Sequence, residues 1–318
     1  MTSLFEQLIF SASITGPICL MLFLGVFLKR VGLINDNFID VASKLVFQVT
    51  LPIMLFLSIV TSEHDFASSS SLIAYGVAAN LAFFIATSLF VRRIVANKSD
   101  HGVVIQGGFR ANTAIIALAY VANAYGESGV ALAAIYVAAI TILYNVQAVI
   151  ALTPVGESSA TQAITMMSKS LTRNPLIIAI LLGVACYFLS IPIPTIALDA
   201  GQYFANMTLP LALLCTGGSL NVTSLRNDQA PAWLATSAKL VIAPLLITLG
   251  GIWFGFRGMD LGILFLMSAA PTAAASYVMA RSMGGNSVLA ANIIAMTTVL
   301  SLLTCTLGIF ILSGLSLI

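Results

Sequence analysis

An arginine lies in the middle of a long apolar segment, within the stretch GGFRANTAII at residues 107–116. A charged side chain at the centre of a membrane span costs about 2.5–3.5 kcal/mol. A guanidinium can offset that cost by binding a carboxylate through two parallel hydrogen bonds. It can also pair with a backbone carbonyl or extend to the membrane surface. Arg110 is therefore a candidate for recognising a carboxylate, with a structural role as the alternative.

The composition indicates a polytopic helical membrane protein. Hydrophobic residues make up 59% of the 318 residues and charged residues only 8%, whereas a soluble domain carries about 25% charged residues. Apolar runs of about 20 residues, each long enough to cross a bilayer as a helix, recur along the chain. We count ten, centred near residues 19, 49, 81, 112, 140, 181, 210, 243, 270 and 299.

The distribution of Lys and Arg between these segments predicts the orientation. The odd-numbered gaps hold nine of them, namely Lys29, Arg30, Arg92, Arg93, Lys98, Lys169, Arg173, Arg226 and Arg281. The even-numbered gaps and both tails hold only Arg257. Since positive charge favours the cytoplasmic side, both termini are expected to be non-cytoplasmic. The first segment lacks a basic start and runs straight into a full span, so we expect no signal peptide and a multi-pass membrane protein.

The two halves of the chain resemble each other. TGPICLMLFLGV (15–26) matches RNPLIIAILLGV (173–184), QVTLP (48–52) matches NMTLP (206–210), and NTAIIALAY (112–120) matches PTAAASYVM (271–279). The matches keep their order at an offset of about 158 residues, half of the chain. We predict a five-helix repeat at 1–152, a short cytoplasmic link at 153–173 and a second repeat at 174–318. Five helices is an odd number, so the second repeat is inverted, as in many secondary transporters.

Segments four and nine are expected to be interrupted near the membrane midplane, where such transporters bind substrate. The residues predicted to break helices, in segments four, two and seven, are Gly107, Gly108, Pro52 and Pro210. Half-helix N-termini that point to the centre suit an anion. The predicted substrate-binding residues lie beside the breaks and are Arg110, Asn112, Thr113, Pro271, Thr272 and Ser276. Weaker candidates are membrane amides that can equally join helices, namely Gln48, Asn206, Asn80 and Asn145.

Several alternatives at these positions stay open. Pro52 and Pro210 could mark packing kinks or line the site, and Gln48 and Asn206 could bond the carbonyls that the prolines free. Lys44 and Lys239 lie near predicted cytoplasmic ends, so we expect them to extend to the surface rather than to take part in function. The four cysteines are interpreted as small buried hydrophobic residues.

No acidic residue falls at the centre of a predicted span, which argues against an antiporter that works through buried carboxylates. His64 and His101 lie at segment edges without metal-ligand spacing, and no catalytic motif supports an enzyme. We therefore expect no metal, no cofactor and no nucleic-acid partner.

The motifs LPIMLF, FRANTAIIALA, RNPLIIA, LPLALLCTGGSL and APTAAASYVMA resemble those of the auxin efflux carrier family over essentially the whole chain. That family includes the plant PIN carriers and bacterial relatives linked to malonate and other organic acids. The resemblance implies ten helices in a fold similar to bile-acid and proton–sodium transporters, with helices four and nine crossing. It further implies a scaffold from helices 1, 2, 6 and 7, a moving transport domain from 3–5 and 8–10, and a homodimer. The family's crossover asparagine and proline match Asn112 and Pro271.

The chain departs from the plant pattern at three points. Ala111 stands where plant members have a proline, so the break in segment four is expected to be milder. The link between the halves is short, which points to a bacterial type of carrier. Arg110 is not part of the plant pattern, and it favours a dicarboxylate or another small anion over an indole acid.

We therefore expect a carrier of small organic anions, such as malonate and other mono- or dicarboxylates, that works by an elevator-like movement. One alternative is a sodium-coupled symporter on the same fold. Another is a membrane sensor or channel-like protein that does not transport. The substrate, the coupling ion and the direction of transport stay open.

Overall fold

The computed structural model describes residues 4–62, 70–153, 174–220 and 230–318. The predicted link, His64, Lys169, Arg173 and Arg226 lie outside these ranges, apart from Thr153. Within the described ranges the regular structure is helical, and the only strand-like pairing there is an isolated antiparallel bridge between Ala111 and Thr272. The prediction of an all-helical fold is confirmed for the described residues.

Thirteen α-helices cover most of the described residues. In chain order they are α1 (Leu4–Arg30), α2 (Asp36–Leu45), α3 (Leu51–Val60), α4 (Ser70–Ile94), α5 (His101–Phe109), α6 (Leu118–Leu152), α7 (Pro175–Phe188), α8 (Thr195–Ser219), α9 (Ala230–Ser237), α10 (Ala243–Trp253), α11 (Gly258–Ala269), α12 (Ala275–Ser282) and α13 (Ser287–Gly314).

Six described stretches are long and apolar enough to cross a membrane. They are Phe5–Arg30, Asp36–Val60, Ser70–Ile94, Thr113–Leu152, Ala230–Trp253 and Ser287–Gly314. Two shorter apolar helices are α7 and α11. The other predicted segments fall on short or interrupted helices and on the 25-residue α8. The count of ten spans and their inverted arrangement stay predictions.

Three π-helical turns interrupt the longer stretches, at Val46–Thr50, Thr113–Ala117 and Ala238–Ile242. Two of them come directly before a proline, since Pro52 and Pro244 lie in the first turns of α3 and α10. A proline cannot donate to the carbonyl four residues earlier, and a wider turn accommodates that loss. By contrast, α8 continues without interruption through Pro210, so the prediction of a helix break at this residue is wrong.

Helix α6 changes direction at Gly126. This glycine has φ 61° and ψ −151°, a conformation that strongly disfavours residues with a side chain. The change of direction lies between the fourth and fifth predicted segments. On either side of it α6 is deeply buried, for example at Leu118 and Ala131, which are both 0% exposed. The core of the molecule therefore surrounds the segment that follows the GGFRANTAII stretch.

Helices α1 and α8 approach each other very closely at glycines. A Cβ atom added to Gly25 would collide with the backbone carbonyl of Leu214, and one added to Gly217 would collide with that of Leu22. Small residues at helix contacts permit this close approach in membranes, where van der Waals packing drives helix association. The resemblance assigns both helices to the scaffold.

Candidate functional site

Two helices are interrupted within the segments where the sequence predicts breaks, segments four and nine. The first break spans residues 110–112, between the end of α5 and the π-turn that leads into α6; there Arg110 has φ −79° and ψ 98°. The second break spans residues 270–274, between α11 and α12, and Ala270 has φ −61° and ψ 148°. Both breaks are thus extended segments that leave helical hydrogen bonds unmade.

The two breaks satisfy each other's backbone groups. The N–H of Asn112 donates to the carbonyl oxygen of Pro271 at 2.7 Å, and the N–H of Ala273 donates to that of Arg110 at 3.0 Å. These two bonds form the antiparallel bridge between Ala111 and Thr272. Non-helical backbone at membrane depth requires such internal pairing, because hydrocarbon offers no partners. The structure therefore brings the predicted residues of segments four and nine into direct contact.

Thr272 is held on both sides by hydrogen bonds. Its hydroxyl donates to the carbonyl oxygen of Gly107 at 2.7 Å, near the end of α5. Its backbone N–H donates to the Oγ1 of Thr297 on α13 at 3.1 Å. Thr272 is 1% exposed. It therefore joins α5 and α13 to the second break, and its hydroxyl is already engaged.

Arg110 is buried beside the first break, with 7% of its surface exposed. Its Nη2 donates to the Oδ1 of Asn145 at 2.9 Å, and its Nη1 contacts the sulfur of Met279. Both partners are neutral. The described residues contain one salt bridge, which joins Lys29 to Asp36 at the loop between α1 and α2 and does not involve Arg110. The positive charge of Arg110 is thus bound by dipoles and by no described carboxylate.

A network of polar side chains supports Asn145 and the first break. The hydroxyl of Tyr144 donates to the Oδ1 of Asn80 at 3.0 Å, and Asn80 Nδ2 donates to the carbonyl of Gly76 at 2.8 Å. Tyr144 also interacts with the backbone of Ala111. Asn80 therefore positions the α6 residues next to Arg110, and Asn145 contacts Arg110 directly.

Asn112, Thr113 and Ser276 offer polar atoms close to the breaks. Asn112 is 8% exposed, and no described residue hydrogen-bonds its side chain. Thr113 is 4% exposed at the start of the π-turn. The hydroxyl of Ser276, on the first turn of α12, is buried without a hydrogen-bond partner among the described residues. These groups are available to a ligand that reaches the breaks.

The prediction that Gly107 and Gly108 form the helix break is wrong. Both lie inside α5, and the break starts two residues later at Arg110. A Cβ atom on Gly107 would lie 2.8 Å from Cγ2 of Ile293, and one on Gly108 would lie 3.3 Å from Cβ of Ala238. Their small size lets α5 pack closely against α9, the following π-turn and α13.

The polar candidates of segments two and seven lie outside this cluster. Gln48 and Asn206 are both exposed, and Asn206 accepts a hydrogen bond from Gln202 at 2.9 Å. Neither has a described hydrogen bond to a carbonyl freed by proline. Pro52 is buried, whereas Pro210 is exposed.

The prediction that Lys239 extends to the surface is wrong, whereas Lys44 is exposed as expected. Lys239 is 1% exposed, and its Nζ donates to the carbonyl oxygen of Ser268 at 2.6 Å. This carbonyl lies in the last turn of α11, just before the second break. A helix C-terminus carries partial negative charge and unpaired carbonyls, so an ammonium group is favourable there.

Sequence reasoning missed Met279 and Thr297 and ranked Asn145 too low. Nothing in the composition distinguishes Met279 from the other apolar residues of the membrane helices. Thr297 lies on α13, far from the breaks in sequence. The polar residues of α6 gave a partial signal, because amides inside membrane helices have to find partners.

The chain matches the family model described as membrane transport protein over residues 14–309. It belongs to that family. The match confirms the resemblance of its motifs to the auxin efflux carriers. The chain is also 23% identical over 289 residues to an "uncharacterized transporter" of Methanothermobacter thermautotrophicus, covering 90% of this chain and 93% of that protein.

Membership in the membrane transport protein family agrees with the long apolar helices described above. The family match includes both breaks and every candidate residue named so far. The site at the breaks is therefore part of the region that the chain shares with this family.

Proposed function

We propose that this protein is a carrier of small organic anions, namely mono- or dicarboxylates such as malonate. The anion binds where the two breaks meet. Asn112 and the half-helix N-termini hold one carboxylate, and Arg110 holds a second. Thr113 and Ser276 supply supporting hydroxyls, and Pro271 and Thr272 hold the shape of the site.

The observation that carries the proposal is the environment of Arg110. Its charge is buried, and its partners Asn145 and Met279 are both neutral. A buried charge without a counter-charge is costly, so a protein keeps one where it has a use. A substrate carboxylate would supply the missing negative charge and could form two parallel hydrogen bonds with the guanidinium.

The backbone around the breaks also favours a negatively charged ligand. The π-turn that begins at Thr113 and the helix α12 that begins at Ala275 both start beside the paired breaks. Helix N-termini present unpaired N–H groups and partial positive charge. The carbonyl-bearing ends of α5 and α11 are instead engaged by Thr272 and Lys239. The polarity left for a ligand therefore favours an anion.

The finer architecture belongs to the same proposal. Ten membrane spans form two inverted repeats, with α1, α2, α3, α7 and α8 as a scaffold and the remaining helices as a transport domain that moves like an elevator. The paired breaks support this division, since residues from both halves of the chain meet in one rigid bridge. The carrier lies in a bacterial inner membrane with both termini outside, as a homodimer.

Coupling to sodium is the main alternative on this architecture. Lys239 already donates a hydrogen bond to the carbonyl of Ser268, so this carbonyl at the helix end is engaged without a bound metal ion. We therefore propose transport that does not require sodium. Equal uptake in sodium and potassium buffers is expected, and strict dependence on sodium would favour the symporter.

Counterflow in proteoliposomes tests the function directly. Vesicles loaded with unlabelled malonate should accumulate labelled malonate through the wild-type protein, and the Arg110→Ala variant should not accumulate it. Arg257→Ala is the matched control, because Arg257 is exposed and bonds only backbone carbonyls in the described structure. The carrier proposal fails if no mono- or dicarboxylate gives saturable counterflow, a result that would favour a sensor.

A further inference from the structure

Met279 occupies the side of Arg110 that a ligand would need. Its sulfur contacts Nη1 of Arg110, and Nε2 of Gln106 also points to this sulfur at 3.7 Å. Gln106 lies one turn before Arg110 on α5 and is 0% exposed. The sulfur is therefore within reach of two buried donors, Nε2 of Gln106 and Nη1 of Arg110.

Met279 is more accessible than the arginine that it contacts. Arg110 is buried, whereas Met279 is partly exposed. Met279 belongs to α12, a helix of only eight residues that starts at the second break and ends before Gly284. A ligand that binds Nη1 of Arg110 has to displace the Met279 sulfur from it.

A thioether is a weak hydrogen-bond acceptor and carries no charge. It is therefore a poor partner for a guanidinium, and a carboxylate would replace it readily. The methionine side chain is also flexible, with three rotatable bonds, and it can leave a contact without movement of the backbone.

We propose that Met279 acts as an internal stand-in for the substrate: its sulfur holds the anion position on Arg110 until a substrate carboxylate displaces it. Residue 279 thereby determines the affinity of the site for an anion. It also determines the size of the anion that fits. This inference rests on the proposed anion-binding function of the same site. The residues named so far bind the substrate, whereas Met279 competes with it.

Two variants that lack the sulfur test whether Met279 competes with the substrate for Arg110. Met279→Leu keeps the volume and removes the acceptor, and Met279→Ala removes both. Each should bind malonate roughly fivefold more tightly, the change that about 1 kcal/mol of lost competition produces. Each should also lower the melting temperature of the ligand-free protein, because Arg110 loses a contact. Only Met279→Ala should gain binding of bulkier carboxylates, such as phenylacetate.

Met279→Glu places a tethered carboxylate on Arg110 and gives the sharpest test. This variant should melt at a higher temperature than the wild type without ligand and should lose the stabilisation by malonate. Met283→Glu is the matched control: it introduces the same charge one turn later, at the end of α12. The control should keep malonate binding, which separates occupation of the site from general repulsion of anions.

The outcomes separate this inference from the function on which it rests. If malonate stabilises the wild type but not Arg110→Ala, the anion site is supported. The inference about Met279 is then overturned if Met279→Leu and Met279→Ala bind malonate with wild-type affinity, or if Met279→Glu still binds it. If malonate and acetate fail to stabilise the wild type, or stabilise Arg110→Ala equally, the proposed function and this inference fall together.

Discussion

The backbone N–H of Asn112 lies 2.7 Å from the carbonyl oxygen of Pro271, across the meeting point of two interrupted helices. The residues are far apart in sequence, yet the two breaks complete each other. The break at Asn112 leaves an N–H without a helical partner, and the carbonyl of Pro271 accepts from it. The bond fixes the distance between the two breaks and thereby the frame around Arg110.

The contact between Thr272 and Gly107 should contribute measurably to stability. Thr272→Val keeps the shape of the side chain but removes the donor to the Gly107 carbonyl, which then lies buried without this partner. We expect a loss of about 1–3 kcal/mol, measured as a lower melting temperature in detergent. Thr272→Ser keeps the hydroxyl and is the control. Equal melting temperatures for Thr272→Val and Thr272→Ser would contradict this role.

Two glycines of α1 should respond oppositely to the same substitution. At Gly25 an added methyl group meets the backbone of α8, whereas at Gly16 nothing lies within 4 Å. Gly25→Ala should cost about 3 kcal/mol or more through overpacking. Gly16→Ala should be neutral or slightly stabilising, because alanine favours the helix. Melting curves of both variants provide the test, and a stable Gly25→Ala protein would show that α1 and α8 are packed less tightly.

Asn145→Asp should separate folding from binding. The change is nearly isosteric and places a carboxylate at the atom that accepts from Arg110 Nη2. An internal salt bridge should then raise the melting temperature of the ligand-free protein, since it compensates a buried charge. Malonate affinity should fall by at least about tenfold, because Arg110 is already neutralised.

Isothermal titration of the Asn145→Asp protein with malonate would measure this loss. Asn145→Gln, which keeps a neutral amide, is its control and should retain more of the affinity. Unchanged affinity of the aspartate variant would mean that substrate does not use the charge of Arg110.

The sequence predicted the meeting of segments four and nine because its signals were local and chemical. Proline at 271 and the polar pair at 112–113 both interrupt apolar segments, and the charge at 110 stands out against 8% charged residues. The half-chain repeat predicts that these residues lie opposite each other. The contact between the two breaks follows from that pairing.

Other features depend on packing that the sequence does not encode locally. Lys44 and Lys239 occupy similar positions in their segments, yet one is exposed and the other meets a helix end formed by residues 29 positions later. Gly107 and Gly108 weaken a helix by propensity, but close contact with α9 and α13 keeps them helical. Met279 became visible only through its contact with Arg110.

Thermal stability of the purified protein in malonate, compared between wild type and Arg110→Ala, tests the central claim most directly. Ligand at a hundred times its dissociation constant stabilises the folded protein by about 2.7 kcal/mol. Malonate should therefore raise the melting temperature of the wild type and of the Arg257→Ala control, and it should leave Arg110→Ala unchanged. An equal rise in Arg110→Ala, or no rise in the wild type with any mono- or dicarboxylate, would contradict an anion site at Arg110.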